Sequence, residues 1–243
     1  MPKLTSPKMW ESQVSYPKLD SILFSDLFRE YLFPVKNKNC LEIGSNGGRF
    51  LAYISKNFGY FPEGIDYARG SKKTTEETLI NNGKKDYKIY EEDFFKWIPK
   101  KKYDLVMSFG FIEHFSGKEN SLIIKKSLNL LNEKGLTIIT VPNFRYFRHF
   151  LYLFINKEKL KRHNLSIMKK AYFRKIAKEN NLKILFLNYY GGGGGYYSKK
   201  FFYKIFKINK KIKGIGIKKE PFFFQYLVFI AKKEKNPFSN ILN

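Results

Sequence analysis

The chain is poor in cysteine, poor in acid and without a long apolar run. A single cysteine, Cys40, stands among 243 residues. No intrachain disulfide can form, and a thiolate zinc site has no ligands to draw on. Cys40 lies in an apolar stretch and reads as a packing residue, so a reducing, cytoplasmic setting is expected. No run approaches the roughly 18 apolar residues of a membrane span. Met1-Pro2-Lys3-Leu4-Thr5 lacks the apolar centre of a signal peptide. There are 3 histidines, and nowhere along the chain do His and acids stand at metal-ligand spacing, so no metal is expected. Acids number 21 against 46 Lys+Arg, a net charge of +25. Residues 144–243 hold 24 Lys+Arg and 4 Asp+Glu, net +20, whereas residues 1–143 hold 22 and 17, net +5. A basic surface attracts phosphates, nucleic acid or an anionic membrane. Compositional bias toward Lys, Asn, Phe, Tyr and Ile accounts for the charge equally well.

What is present is organised around Cys40-Leu41-Glu42-Ile43-Gly44-Ser45-Asn46-Gly47-Gly48-Arg49-Phe50. An apolar strand ends in an acid, a Gly-rich turn follows, and a helix starts. Glycines permit backbone angles and close approaches that a Cβ forbids, and a helix start offers free N–H groups. The stretch is a cradle for a polar small molecule.

Around it strands and helices alternate. Strands are predicted at Asn39–Ile43, Tyr60–Asp66, Tyr87–Tyr90, Tyr103–Ser108 and Leu136–Val141. Helices are predicted at Gly48–Asn57, Ser71–Ile80 and Glu119–Leu131, the last stopped by Asn132-Glu133-Lys134-Gly135. This alternation argues for an α/β fold with a parallel sheet wrapped by helices. A helix over 17–33, starting at Pro17, could close over the cradle. Beyond Val141 the chain turns aromatic and basic. Phe144–Phe154 and Lys157–Arg162 form a basic stretch that suits an acceptor lid as well as an ordinary amphipathic helix. Ser166 is placed to cap a helix running to about Asn180, and Leu182–Leu187 and Pro221–Ala231 read as two more strands. Gly191–Gly195 reads as a flexible loop or an anion nest. Lys199–Lys213 interleaves Phe and Tyr with Lys, as a surface helix or a membrane-docking one does. The chain thus divides into an N-terminal helical cap (1–37), a binding core (38–143) and a C-terminal part (144–243) with an acceptor-binding insertion and the last two strands.

Three acids fall at three strand ends: Glu42, then Asp66 in Gly64-Ile65-Asp66-Tyr67, then Asp93 in Glu91-Glu92-Asp93-Phe94. Ligands bind outside the carboxyl ends of such strands, and an adenosyl group asks for this set. A nicotinamide dinucleotide does not fit, since Gly44-Ser45-Asn46-Gly47-Gly48 departs from G-x-G-x-x-G spacing. With Tyr103-Asp104-Leu105-Val106, Gly110-Phe111-Ile112-Glu113-His114-Phe115 and Leu130 through Ile139, the chain resembles the class I S-adenosylmethionine-dependent methyltransferases. The likeness is to the small-molecule branch with its ubiquinone-pathway and sugar O-methyltransferases. That resemblance implies a Rossmann-like, seven-stranded, mostly parallel sheet with helices on both faces and, here, a basic C-terminal lobe. It implies S-adenosylmethionine as cofactor. Glu42 would lie near the methionine end, often through water, with Gly44, Ser45, Asn46 and Gly48 shaping the turn. Asp66 would take the ribose hydroxyls with Tyr67 against the adenine. Asp93 would accept from the adenine amine with Phe94 beside it, and the Ser108, Phe109 and Gly110 backbone would face the amino-acid end. Asn46 stands where the family usually has glycine; Asn tolerates left-handed angles, so the turn survives.

For chemistry, a hydroxyl acceptor benefits from a general base. The candidates are His114, Glu113 and His163, each also explicable by packing or loop contacts. His149, in the aromatic run, reads as packing. The first expectation is O-methylation of a small hydrophilic acceptor, a sugar or phosphate-bearing nucleotide-sugar of surface polysaccharide synthesis. A lipid or quinone methyltransferase docked on an anionic membrane, an RNA methyltransferase and a non-catalytic S-adenosylmethionine-binding module stand as alternatives. Nucleic acid is disfavoured because no Asn-Pro-Pro-Tyr-type motif is present.

Overall fold

A computed structural model describes residues 5–11, 22–191 and 225–235. Its strands form where the sequence runs apolar and β-branched between polar turns. They are β1 (Asn39–Ile43), β2 (Phe61–Asp66), β3 (Lys88–Glu91), β4 (Tyr103–Phe109), β5 (Leu131–Pro142), β6 (Leu182–Tyr190) and β7 (Tyr226–Lys233). Together they make one seven-stranded sheet in the order β3-β2-β1-β4-β5-β7-β6. Pairing is parallel from β3 through β5, and β7 lies antiparallel to both β5 and β6. The order reverses beside β1, and open α/β sheets form their ligand crevice at the strand carboxyl ends of such a switch point.

Helices cover both faces: α1 (Pro7–Glu11), α2 (Ser25–Tyr31), α3 (Arg49–Phe58), α4 (Ser71–Asn81), α5 (Gly117–Asn129), α6 (Phe147–Ile155), α7 (Lys157–Lys161) and α8 (Lys170–Glu179). Because side chains alternate along a strand, one strand feeds two cores. Leu41 and Ile43 join Val106, Ile139 and Phe229 on one face, while Cys40 joins Leu105, Met107, Ile138 and Val228 on the other. Burial on both faces explains why these strands read as continuous apolar runs.

Four expectations change. Within the predicted 17–33 helix only Ser25–Tyr31 is helical, and residues 17–21 lie outside the described ones. This helix does not close over the cradle. Phe28 is fully buried, 6.2 Å from the Phe50 ring and 5.8 Å from that of Phe109. Asn132–Gly135 does not end in a free turn. β5 already begins at Leu131 opposite Tyr103, and the polar residues form an irregularity before Leu136 pairs with Leu105, with Lys134 at φ 61°. Ser166 caps no long helix. It sits in a single 3-10 turn, Leu165–Ile167, where its own N–H donates to Asn164 Oδ1 at 3.2 Å, and α8 starts later without a side-chain cap. The last predicted strand starts at Tyr226, and its residues 221–224 lie outside the described part, as do residues 192–195 of the glycine run and the stretch 199–213.

Phe28→Ala empties a fully buried site in this second core. It is expected to cost about 3–5 kcal/mol, read as a lower urea midpoint at unchanged slope.

Candidate active site

The turn between β1 and α3 bends sharply through Gly44, Gly47 and Gly48, at φ 78°, 76° and 60°. A Cβ on Gly44 would fall 2.7 Å from the Phe111 ring, and one on Gly48 2.6 Å from Thr75 Cγ2. Asn46 is not left-handed. The expectation that it is tolerated for its backbone angles is therefore corrected: the flanking glycines carry the curvature. Its N–H donates to Asp66 Oδ2 at 3.2 Å and its Nδ2 to the Trp10 carbonyl at 3.5 Å. Its Oδ1 is buried without a partner. Asp66, at the tip of β2, also accepts the Ala68 N–H on Oδ1 at 2.8 Å. Burial pushes its carboxyl up, and the Ala68 and Asn46 N–H groups draw it back.

A cavity of about 230 Å³ opens here. Of the residues singled out from sequence, Gly44, Asn46, Asp66, Tyr67, Phe109, Gly110 and His114 line it. Phe111, at the ligand-facing end of β4 as the sequence placed it, lines it too, and so do Thr5, Trp10 and Phe115, to which the sequence assigned no site role. Phe111 and Phe115 flank Glu113-His114 at i,i+4 spacing, which was a usable signal. Trp10, on the short α1, had none. Its indole stands edge-on to the His114 ring at 4.8 Å, and its carbonyl holds Asn46, so α1 lies across the cavity where α2 had been expected.

The other candidates stand behind this lining. Glu42, 3% exposed, turns under the glycines, where its Oε2 accepts the Leu51 N–H at 3.0 Å. Ser45 is buried, and its carbonyl accepts the Thr75 hydroxyl at 3.1 Å. Gly48 is buried against Thr75. Ser108 is buried with its hydroxyl unpartnered. Asp93 Oδ1 accepts the Phe95 N–H at 3.0 Å, and its charge reaches Tyr67. Phe94 is corrected from an adenine neighbour to a core residue. It is 4% exposed, with its ring 6.2 Å from Trp97 and 4.9 Å from the Lys126 ammonium.

Glu113 and His114 sit in the 3-10 turn Ile112–His114 after β4, and His163 follows α7. Sequence spacing suggested no metal-type cluster. The fold overturns that by bringing these three together across 49 residues, with one ligand-capable atom from each all within 4.8 Å. Their rings and neighbours form a packed file: His163 is 4.6 Å from His114 and 4.9 Å from Phe144. His114 Nδ1 faces the Arg162 carbonyl at 2.9 Å, and the Gly110 carbonyl also approaches the ring. His163 Nδ1 faces the Lys159 carbonyl at 2.5 Å. Burial pushes both imidazoles down to about 4 and the Glu113 carboxyl up to about 8.

The buried Glu42 predicts a pH dependence. Burial raises its carboxyl from 4.5 to about 8, against the pull of the Leu51 N–H and Arg49. The folded protein therefore holds a proton that the unfolded chain releases near pH 4.5. The stability this gives is full below pH 4.5 and is lost as pH rises through 8. Urea midpoints of the ligand-free protein are expected to fall between pH 6.5 and 8, and to fall less in Glu42→Gln.

The residues fit an adenosyl ligand. The Gly44 backbone clears space a Cβ would occupy, Asp66 offers a carboxylate, and Asn46 Oδ1 is an acceptor awaiting a donor. The comparisons agree. A family described as methyltransferase domain matches residues 19–187. No curated protein matches in sequence. The fold is similar to that of the N-methyltransferase NodS from Bradyrhizobium japonicum WM9, solved with S-adenosylhomocysteine, at TM-score 0.62 and 10% identity over 96% of this chain and 100% of that one. It is similar to magnesium protoporphyrin IX methyltransferase from Synechocystis PCC 6803 at TM-score 0.57 and 13% identity, covering 94% and 83%. It is also similar to coclaurine N-methyltransferase at TM-score 0.59 and 12% identity, covering 90% and 76%. With the match spanning more than half its length, the chain belongs to this methyltransferase-domain family.

Proposed function

We propose that the protein O-methylates a small hydrophilic acceptor, a sugar or nucleotide-sugar used in surface polysaccharide synthesis. The observation that carries this is the composition of one cavity wall: Asp66 and Asn46 on the β1–β2 side, with His114 beside Gly110 after β4. S-adenosylmethionine supplies an electrophilic methyl group on a sulfonium. Asp66 accepts from paired hydroxyls, Tyr67 gives an aromatic face, and Asn46 Oδ1 takes a further donor. Glu42 and Asp93 hold the loops that present these groups. Trp10 and Phe111 keep water out. His114, neutral at pH 7, offers a lone pair to an acceptor hydroxyl. Most of the rate then comes from orientation in a dry site.

A phosphate-bearing acceptor is supported by two cations behind His163. Arg148 is 7% exposed, with Nε donating to the Asn143 carbonyl at 2.8 Å. Lys159 Nζ lies 5.5 Å from the Phe144 ring and 5.4 Å from that of Tyr152. Among the described residues neither ion-pairs with a carboxylate. Desolvation pushes both cations down, and an anion would relieve it.

Calorimetry with S-adenosylhomocysteine tests the cofactor half. Wild type is expected to bind, and Asp66→Ala to bind about 10–100-fold more weakly, the loss of one to two charge-assisted hydrogen bonds. S-adenosylhomocysteine release is then followed over nucleotide-sugars, free sugars, amines, quinone-bearing vesicles and RNA. Turnover with a sugar hydroxyl supports the acceptor assignment. Turnover confined to any other class replaces it, and no binding by wild type removes the site.

A further inference from the structure

Glu113, His114 and His163 are more than three polar residues in contact. Glu113 is 1% exposed and its Oε2 has no hydrogen-bond partner. Its other oxygen, Oε1, faces His114 Nε2 at 3.8 Å. Among the described residues no Lys or Arg stands against this carboxyl, so a bound cation is the partner that would let it ionise. Both histidines present the same tautomer logic. Each Nδ1 sits on a backbone carbonyl, Arg162 O for His114 and Lys159 O for His163. A neutral ring that donates there carries its lone pair on Nε2; in His114 the Gly110 carbonyl also approaches the ring, so that carbonyl must give way for the lone pair to be used. Metal-ligating histidines are oriented in this way by the hydrogen bond at the other nitrogen.

The two segments are also clipped together. Asn164 donates its N–H to the Glu113 carbonyl at 2.6 Å and its Nδ2 to the Phe115 carbonyl at 3.0 Å. His163 is thereby held against the Glu113-His114 turn by backbone bonds that do not involve the imidazoles. Metal–ligand bonds of about 2.0–2.2 Å set neighbouring ligand atoms roughly 3–3.5 Å apart. From a starting spread of at most 4.8 Å, side-chain torsions of Glu113 and His163 cover the difference.

We propose that Glu113, His114 and His163 form a divalent transition-metal site directly behind the cavity, which His114 alone of the three lines, with an open coordination position for a hydroxyl of the acceptor. This rests on the methyltransferase reading above. Two imidazoles and one carboxylate favour Zn²⁺ over Mg²⁺. Three protein ligands leave the fourth position for substrate. A hydroxyl bound there ionises far more readily than in water. Its proton goes to solvent, and the freed oxygen pair forms the O–C bond while the sulfur keeps the electrons of the C–S bond. With the metal bound, the His114 lone pair is spent on it, and the metal takes over from the imidazole as the group that activates the acceptor hydroxyl.

The test uses the full chain without a histidine tag, stripped with chelator and dialysed. Zn²⁺ is titrated by calorimetry, Co²⁺ by its visible absorption, and S-adenosylhomocysteine is titrated into the same samples. One equivalent of Zn²⁺ is expected, with a Co²⁺ band of low coordination number. His163→Ala and Glu113→Gln are each expected to weaken the metal by about tenfold or more. His163 is half-buried, so its alanine variant should melt near wild type, which a thermal scan verifies. Wild type that takes up no stoichiometric metal, or a His163→Ala variant that takes it up equally, overturns the metal site. Intact S-adenosylhomocysteine binding in those samples leaves the methyltransferase reading standing, and its loss in wild type strikes that reading instead.

Discussion

Everything at the functional end of the sheet depends on one carboxylate. Asp66 accepts from Asn46 in the loop after β1 and from Ala68 in the loop after β2, one on each oxygen. Those loops belong to neighbouring parallel strands, so Asp66 is the brace that fixes their separation. The backbone of β2 reinforces it: the Ile65 carbonyl accepts from both Gly44 and Ser45. With the loops held, the Gly44 turn, Asn46 Oδ1 and the Phe111 ring keep the relative positions that define a cavity. Because these hydrogen bonds run within the chain itself, they fix the loops in place, and a site held in that way loses less entropy on binding.

The same logic of buried polar groups with assigned partners runs through the rest of the sheet. Glu63, in the middle of β2 and 1% exposed, meets Lys101 at 2.6 Å and the Tyr103 hydroxyl at 2.8 Å. Lys126 bonds the carbonyls of Phe94, Phe95 and Trp97 and so shapes the loop that carries Asp93. These satisfied groups are structural. Asn46 Oδ1, Ser108 Oγ and Glu113 Oε2, near the cavity, are among the buried side-chain atoms without a hydrogen-bond partner, as are atoms of Ser71, Glu77, Glu119 and Thr137 elsewhere in the fold.

The central strands were legible because both their faces are buried and their sequences are uniformly apolar; β1 falls on Asn39–Ile43 as expected. The acids at strand ends followed from that period. Phe94 was placed by its neighbour Asp93, yet its ring turns into the core beside Trp97, and nothing in the local sequence marks which way it faces. β5 was read too short because Asn132-Glu133-Lys134-Gly135 has turn composition; the structure keeps the turn chemistry, with Lys134 left-handed, inside a continuing strand. Trp10 was hidden, and His163, though a candidate base, could not be placed beside His114, for another reason. They reach the site through tertiary packing from 36 residues before Asn46 and 49 residues after His114, distances at which periodicity carries no information.

The sheet's final strand lies inside it. β7 hydrogen-bonds between β5 and β6, and β6 touches the sheet only through β7. A ribosome therefore releases β6 and α8 before the strand that connects them to β5 exists. Until residues 226–233 emerge, the edge of β5 is open and the Phe173 face of α8 has no Phe229 to cover it, a ring pair 5.1 Å apart in the finished fold. Pairing β5 with β7 joins residues roughly ninety apart in sequence, a slow, non-local closure. Until that closure β5 presents an open sheet edge, the kind of surface on which unpaired strands associate.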